Sequence, residues 1–216
     1  MIYGNFVRRF WIAGLALFVP ALMACSTGFP SKGFVDPRLM SAYIPLSQSY
    51  DVIFSRWGAA LTIAPNIAVT NDHNLNIIPP ERLLARSRDY DLLFFRTDSP
   101  VAPLTAEPRV GDTVIAYGQG STHDLREAAG QVVALDEYVE PRCPDCPAQR
   151  ALVFSADAGG GFSGGPVVDA KTGAVLGVTF GYLDSRNGRR MYAYDIDLVM
   201  AEMHRLLDTA AMRPSP

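Results

Sequence analysis

The chain has 216 residues, enough for one compact domain or two small halves sharing a core. Hydrophobic residues make up 49% and charged residues 19%, the profile of a globular protein and not of a disordered one. A formal net charge of -3 provides no basic excess and so excludes nucleic acid as an expected partner.

The N-terminus comes first in chain order. Arg8 and Arg9 precede an almost uniformly apolar run from Phe10 to Met23. That run is shorter than the roughly 20 residues of a transmembrane helix and has the form of an export signal. It ends in Leu22-Met23-Ala24-Cys25, which resembles the lipobox of bacterial lipoproteins. The resemblance implies removal of residues 1–24 as a lipoprotein signal peptide and lipidation of Cys25. A plain secretory signal with an incidental Cys25 is the alternative. Ser26 stands where an Asp would retain a lipoprotein at the inner membrane, so the expected address is the outer membrane, facing the periplasm. Residues 25–50, rich in Pro, Ser and Gly, are expected to form a tether and lead-in segment without chemistry.

From Val52 onward, short apolar runs alternate with turn residues. Ala59 to Ile63 and Ile67 to Thr70 predict two strands joined by a turn at Pro65-Asn66. Asp91 to Arg96 is apolar without clean alternation, as in a strand buried on both faces. Further strands are predicted at Thr113–Tyr117, Gly130–Leu135, Ala151–Phe154, Pro166–Val168, Val175–Phe180 and Tyr192–Ile196. Evenly spaced short strands favour an all-β sandwich or barrel. Asp197 is placed to cap one helix over Leu198 to Leu207, with Leu198, Met203, Leu206 and Leu207 on its buried stripe. Residues 51–209 thus read as one domain and residues 210–216 as a tail.

The richest segment chemically is Gly159-Gly160-Gly161-Phe162-Ser163-Gly164-Gly165-Pro166. A serine in a glycine-rich turn can lift its hydroxyl clear of the chain, and the glycines let backbone N–H groups approach a substrate carbonyl. The pattern Gly-x-Ser-Gly-Gly-Pro resembles the nucleophile motif of trypsin-like serine proteases, in the version of the HtrA/DegP-type branch. A serine hydroxyl needs a base. Of the three histidines, His123 lies in a turn-rich loop and His204 in the predicted helix, whereas His73 ends Ile67-Ala-Val-Thr-Asn-Asp, similar to that branch's "Val-Thr-Asn-x-His". Asp91, opening Asp-Leu-Leu-Phe-Phe-Arg, resembles the strand that carries the family's aspartate; Asp89 is the rival two residues earlier. The matches run in the order His, Asp, Ser and cover roughly Arg56 to Leu198.

The resemblance implies two six-stranded antiparallel β-barrels of the chymotrypsin type, a C-terminal helix, and a cleft between the barrels. It implies a triad of His73, Asp91 and Ser163, with backbone N–H groups of Gly161 and Ser163 as the oxyanion hole. It also implies hydrolysis of protein or peptide substrates without a cofactor or metal. Asp157, six residues before the serine, is either the base of a pocket selecting Arg or Lys, or a structural residue. In the second and favoured reading, an apolar pocket lined by Val178, Thr179 and Phe180 takes small aliphatic side chains.

Four features depart from the pattern. Asp91 follows His73 by only 18 residues, so a first-barrel hairpin is expected to be cut to a loop at Asn74 to Glu81. Asp72 places an extra carboxylate beside the base. Phe162 replaces the acid of zymogen-type trypsins, which argues against activation by a freshly cut N-terminus. No PDZ domain is expected after the helix. The short spacing keeps alive an alternative in which the chain is a catalytically impaired scaffold. Cys143-Pro-Asp-Cys146 is a Cys-x-x-Cys pair with neither the βαβ setting of a redox site nor the four ligands of structural zinc. A local disulfide is the expectation in an oxidising periplasm.

Overall fold

The structure, a computed structural model, describes residues 28–49, 55–139, 149–186 and 188–211. Cys25, Cys143 and Cys146, with the lipidation and the disulfide expected of them, lie outside the described residues. In chain order the elements are β1 (Phe29–Pro30), α1 (Leu39–Ala42), β2 (Tyr43–Ser49), β3 (Ser55–Ala64), β4 (Ile67–Thr70), β5 (Leu83–Arg86) and β6 (Leu93–Arg96). They continue with β7 (Thr113–Gln119), β8 (Leu125–Val139), β9 (Gln149–Ala156), β10 (Pro166–Asp169), β11 (Val175–Ser185), β12 (Gly188–Asp195) and α2 (Ile196–Ala211).

The strands form two antiparallel sheets. The first has the order β2-β3-β4-β6-β5. The second has the order β1-β8-β7-β10-β11-β12-β9 and closes through pairing of β8 with β9. Its closed ring therefore holds the six strands of the expected second barrel, with β1 added against β8. The first sheet has five, because the stretch after His73 is folded into two 3-10 turns, Asp72–Ile77 and Pro80–Arg82, as the short spacing had suggested.

Side-chain pattern explains the placement. In β6 the residues Leu93, Phe94 and Phe95 are all buried. Phe94 faces the core between the sheets, with Leu61, Val69, Tyr117, Val178 and Tyr194, while Leu93 and Phe95 face the first sheet's own core with Ala60 and Ala68. A strand with a core on each face cannot alternate, which is why its sequence does not. The interior of the second barrel is filled by Val114, Val132, Phe154, Phe162, Val167 and Leu176, among others.

Three local expectations are corrected. The presumed lead-in contains β2, whose seven residues pair with β3 from Tyr43↔Leu61 to Ser49↔Ser55. Its Pro45 lacks an N–H and is tolerated because β2 is an edge strand. The C-terminal helix starts at Ile196, and the side chain accepting its early N–H is Asp195 (Asp197 N to Asp195 Oδ1, 2.8 Å) rather than Asp197. Its buried stripe is Ile196, Val199 and Met203 together with Glu202. Leu198, Leu206 and Leu207 are only partly buried.

Candidate active site

His73 lies just past the end of β4, in the first 3-10 turn. Asp91 lies just before β6, the neighbour of β4 in the sheet, so the pairing Thr70↔Leu93 brings acid and base together. The Asp91 carboxylate holds His73 twice: Oδ1 accepts the backbone N–H at 3.0 Å, and Oδ2 lies 2.6 Å from Nδ1. In the tautomer whose Nδ1–H donates to that carboxylate, Nε2 carries the lone pair that a base needs. Asn71 Nδ2 donates to the Asp91 carbonyl at 3.0 Å, which steadies the acid from the strand end that leads to the base.

The other two histidines are exposed and lie elsewhere. Asp89 also faces away: its carboxylate lies 3.3 Å from Arg205 on α2. The extra carboxylate of Asp72 is gripped by Arg86 at 2.6 and 2.7 Å. That hydrogen bond and charge raise the Arg86 pKa further.

Ser163 sits half-buried in the turn between β9 and β10. Its carbonyl accepts from Ala59 N at 2.9 Å and from Asn74 Nδ2 at 3.3 Å. Asn74 is the residue after the base, and it also donates to Thr70 Oγ1 at 2.9 Å. The Ser163 turn of the second barrel is therefore fastened to the first barrel at β3 and at the turn that carries His73. Gly164 makes this approach possible: its φ is +82°, and a Cβ there would run into Ala59 O and Thr70 Oγ1. Among the described residues no hydrogen bond joins Ser163 Oγ to His73.

Phe162, directly before the serine, is fully buried in the second barrel. A Cβ on Gly118 would fall 2.5 Å from its Cγ, and one on Gly28 would fall 2.7 Å from its Cζ. An apolar plug between two glycines thus fixes the turn where zymogen-type enzymes use a charge. Among the described residues the backbone N–H groups of Gly161 and Ser163 donate to no protein acceptor, whereas Phe162 N donates to Gly159 O at 3.1 Å. Gly161 has a φ of +88°, and a Cβ there would fall 2.0 Å from Gln119 O, so the position requires glycine.

The expected pocket residues have different surroundings. Val178 and Thr179 are buried on β11. Phe180, partly buried, stacks on Tyr194 at 4.3 Å and on Tyr192 at 6.2 Å. The Asp157 side chain is 79% exposed and lies 3.5 Å from Arg189, which also donates to Ala158 O at 2.9 Å. A carboxylate so placed is not the buried base of a cation-selecting slot. Among the described residues no group of three or more His, Cys, Asp and Glu side chains is arranged to hold a metal ion.

A family model described as a trypsin-like peptidase domain matches residues 59–178, which contain His73, Asp91 and Ser163. The chain belongs to the trypsin-like peptidase family. A search of curated protein sequences found no significant match. Among solved structures, the HtrA-type protease AlgW with a tripeptide superposes on this peptidase-family chain with a TM-score of 0.66 at 19% identity, covering 84% of this chain and 65% of that one. This chain thus spans slightly under two thirds of that protein. The active form of the protease Rv3671c from M. tuberculosis gives a TM-score of 0.65 at 16% identity, with 87% and 90% covered. The protease domain of MamO from Magnetospirillum magneticum gives 0.58 at 12% identity, with 76% and 97% covered. At these identities the likeness concerns the fold, which is chymotrypsin-like.

Three contributors to the site carry no signal in the sequence. Asn74 lies in what reads as a plain loop. Tyr194, whose hydroxyl accepts from Asp91 N at 2.9 Å, and Gln149, to which that hydroxyl donates, are distant in the chain from the acid they serve.

Proposed function

We propose that the chain is a serine endopeptidase that cleaves proteins of the cell envelope through an acyl-enzyme. The observation that carries this reading is the double grip of Asp91 on His73, which leaves Nε2 free to take the proton of Ser163. Ser163 Oγ attacks the scissile carbonyl, Nε2 receives its proton, and Asp91 stabilises the imidazolium. The proton then passes to the departing amine, and water hydrolyses the ester by the reverse use of His73. The N–H groups of Gly161 and Ser163 receive the oxyanion, each donor of this kind being worth about 2.7–4 kcal/mol of transition-state stabilisation. The aliphatic pocket is part of the proposal: Val178, Thr179 and Phe180 bound it, and the exposed, paired Asp157 stays outside it. A peptide library varied at the residue before the cut should favour small aliphatic side chains; an Arg or Lys preference abolished by Asp157→Ser would overturn this part.

A fluorophosphonate probe tests the reading directly. Wild type should be labelled, and Ser163→Ala and His73→Ala should not; labelling that survives in Ser163→Ala refutes the assignment. An unlabelled wild type points instead to a protease fold kept as a scaffold. The anchor is proposed from Leu22-Met23-Ala24-Cys25: the mature chain is held at the outer membrane, facing the periplasm, by acyl chains on Cys25. Cys25→Ser should move it from the membrane to the soluble periplasmic fraction, and persistence in the membrane would show another anchor.

A further inference from the structure

Asp91 stands on a loop, Ser87 to Leu92, that the first sheet alone supports weakly, because the strand before it, β5, lies at the sheet's edge. The loop is closed by Ser87 N donating to Leu92 O at 2.9 Å. Besides the contacts of Asp91 with Asn71 and His73, its ties cross to the second half of the chain. Ser87 Oγ donates to Glu202 Oε1 on α2 at 2.5 Å, while accepting from Asp89 N at 3.1 Å and Tyr90 N at 3.0 Å. Glu202 is 5% exposed, and its carboxylate is held by Arg205 at 2.7 and 2.6 Å. At the far end of the loop, Asp91 N donates to Tyr194 Oη at 2.9 Å, and that hydroxyl donates to Gln149 Oε1. Tyr194 is fully buried, stacked on Phe180 and edge-on to Tyr90 at 5.7 Å.

A phenol has one proton to give. With that proton directed at Gln149, a lone pair is left for the Asp91 amide, so the direction of the bond is set by the pair of residues and not by chance. We infer that Tyr194, oriented by Gln149, is a positioning residue for the catalytic acid: it holds the Asp91 main chain so that the carboxylate grips His73 at both backbone and ring. The hydrogen bond from Ser87 to Glu202 holds the other end of the same loop. In this arrangement the C-terminal half of the chain places the acid of the N-terminal half, compensating for the short connection from His73. The inference rests on the triad reading above.

The test uses the mature chain and three readouts: kcat and KM on a peptide substrate, the rate of fluorophosphonate labelling, and the proton resonance of His73 Nδ1–H. Tyr194→Phe keeps the ring and its stacking and removes only the hydroxyl. It should lower kcat and the labelling rate about tenfold, the order expected for one well-placed hydrogen bond, with KM unchanged. The His73 Nδ1 proton should broaden through faster exchange, and Ser87→Ala should shift the same readouts in the same direction. In an Asp91→Asn background Tyr194→Phe should cause no further loss, because the group it positions is gone. A wild-type kcat in Tyr194→Phe, an effect on KM alone, or an equal loss in both backgrounds would overturn the inference. If the wild type is not labelled, the triad reading fails instead, and the Nδ1 resonance still decides whether Tyr194 positions Asp91.

Discussion

Replacing Phe162 by alanine removes the plug packed beneath the Ser163 turn. The ring is 0% exposed, so its transfer from water contributes about 1.5–3 kcal/mol to stability. A cavity term adds to this, and here it should be near its maximum. Two walls of the socket are the backbones of Gly28 and Gly118, which have no side chains to fill the space. Gly28 is itself held by its N–H to Asp157 O at 2.9 Å and by Arg126 Nη1 to its carbonyl at 3.1 Å, so that wall cannot move inward freely. The expected loss for Phe162→Ala is therefore about 3–5 kcal/mol, the full range for a buried phenylalanine. Because Phe162 lies between the two proposed oxyanion donors, labelling of Ser163 should also slow in the fraction that stays folded. Urea unfolding of the protein gives the first number and fluorophosphonate kinetics the second, with Phe162→Leu expected to restore part of both. A loss below about 1 kcal/mol, together with wild-type labelling, would refute the reasoning: the plug would then be replaceable and the turn held by its backbone bonds alone.

Asp91→Asn should lower turnover by about 10⁴-fold, while Asp89→Asn, whose carboxylate is paired with Arg205, should leave it near wild type; the reverse ranking in steady-state assays would exchange their roles. Glu202 supplies a pH dependence. Burial raises its pKa, but the hydrogen bonds from Arg205 and Ser87 and the Arg205 charge outweigh burial, and the net shift is downward from 4.5. Its contribution to stability is thus complete above the unfolded value and is lost as pH falls through the lower folded value. Thermal midpoints measured between pH 6 and pH 3 should fall less for Glu202→Gln than for wild type, and parallel curves would show the carboxylate to be uninvolved. Gly164→Ala should leave little folded protein in a soluble-expression assay, since the added Cβ meets backbone on β3; normal yield and labelling would contradict the close approach described.

Sequence alone was enough for much of this architecture. Ile67 to Thr70 is the strand it was read to be, residue for residue, because a short apolar run between turn residues has few other stable forms. The unalternating run after Asp91 correctly signalled a strand with a core on each face. The proposed triad stood out as motifs in the order His, Asp, Ser because the chemistry proposed for it needs particular residue types at particular strand ends. The gap of 18 residues signalled the short connection, which folds into two 3-10 turns and leaves the first sheet with five strands. Other features were decided by tertiary contact. Strand β2 was hidden in a stretch rich in Pro and Ser, whose weak local preference is overcome by pairing along the whole of its seven residues with β3. Asp157 could be placed only once Arg189 was seen beside it, since one sequence position is compatible with either a pocket floor or a surface ion pair. Tyr194, Gln149, Ser87 and Glu202 meet around the acid across separations of up to 115 residues. Periodicity and spacing describe neighbours along one element; which distant side chains share a loop is settled only when the two barrels and the helix pack together.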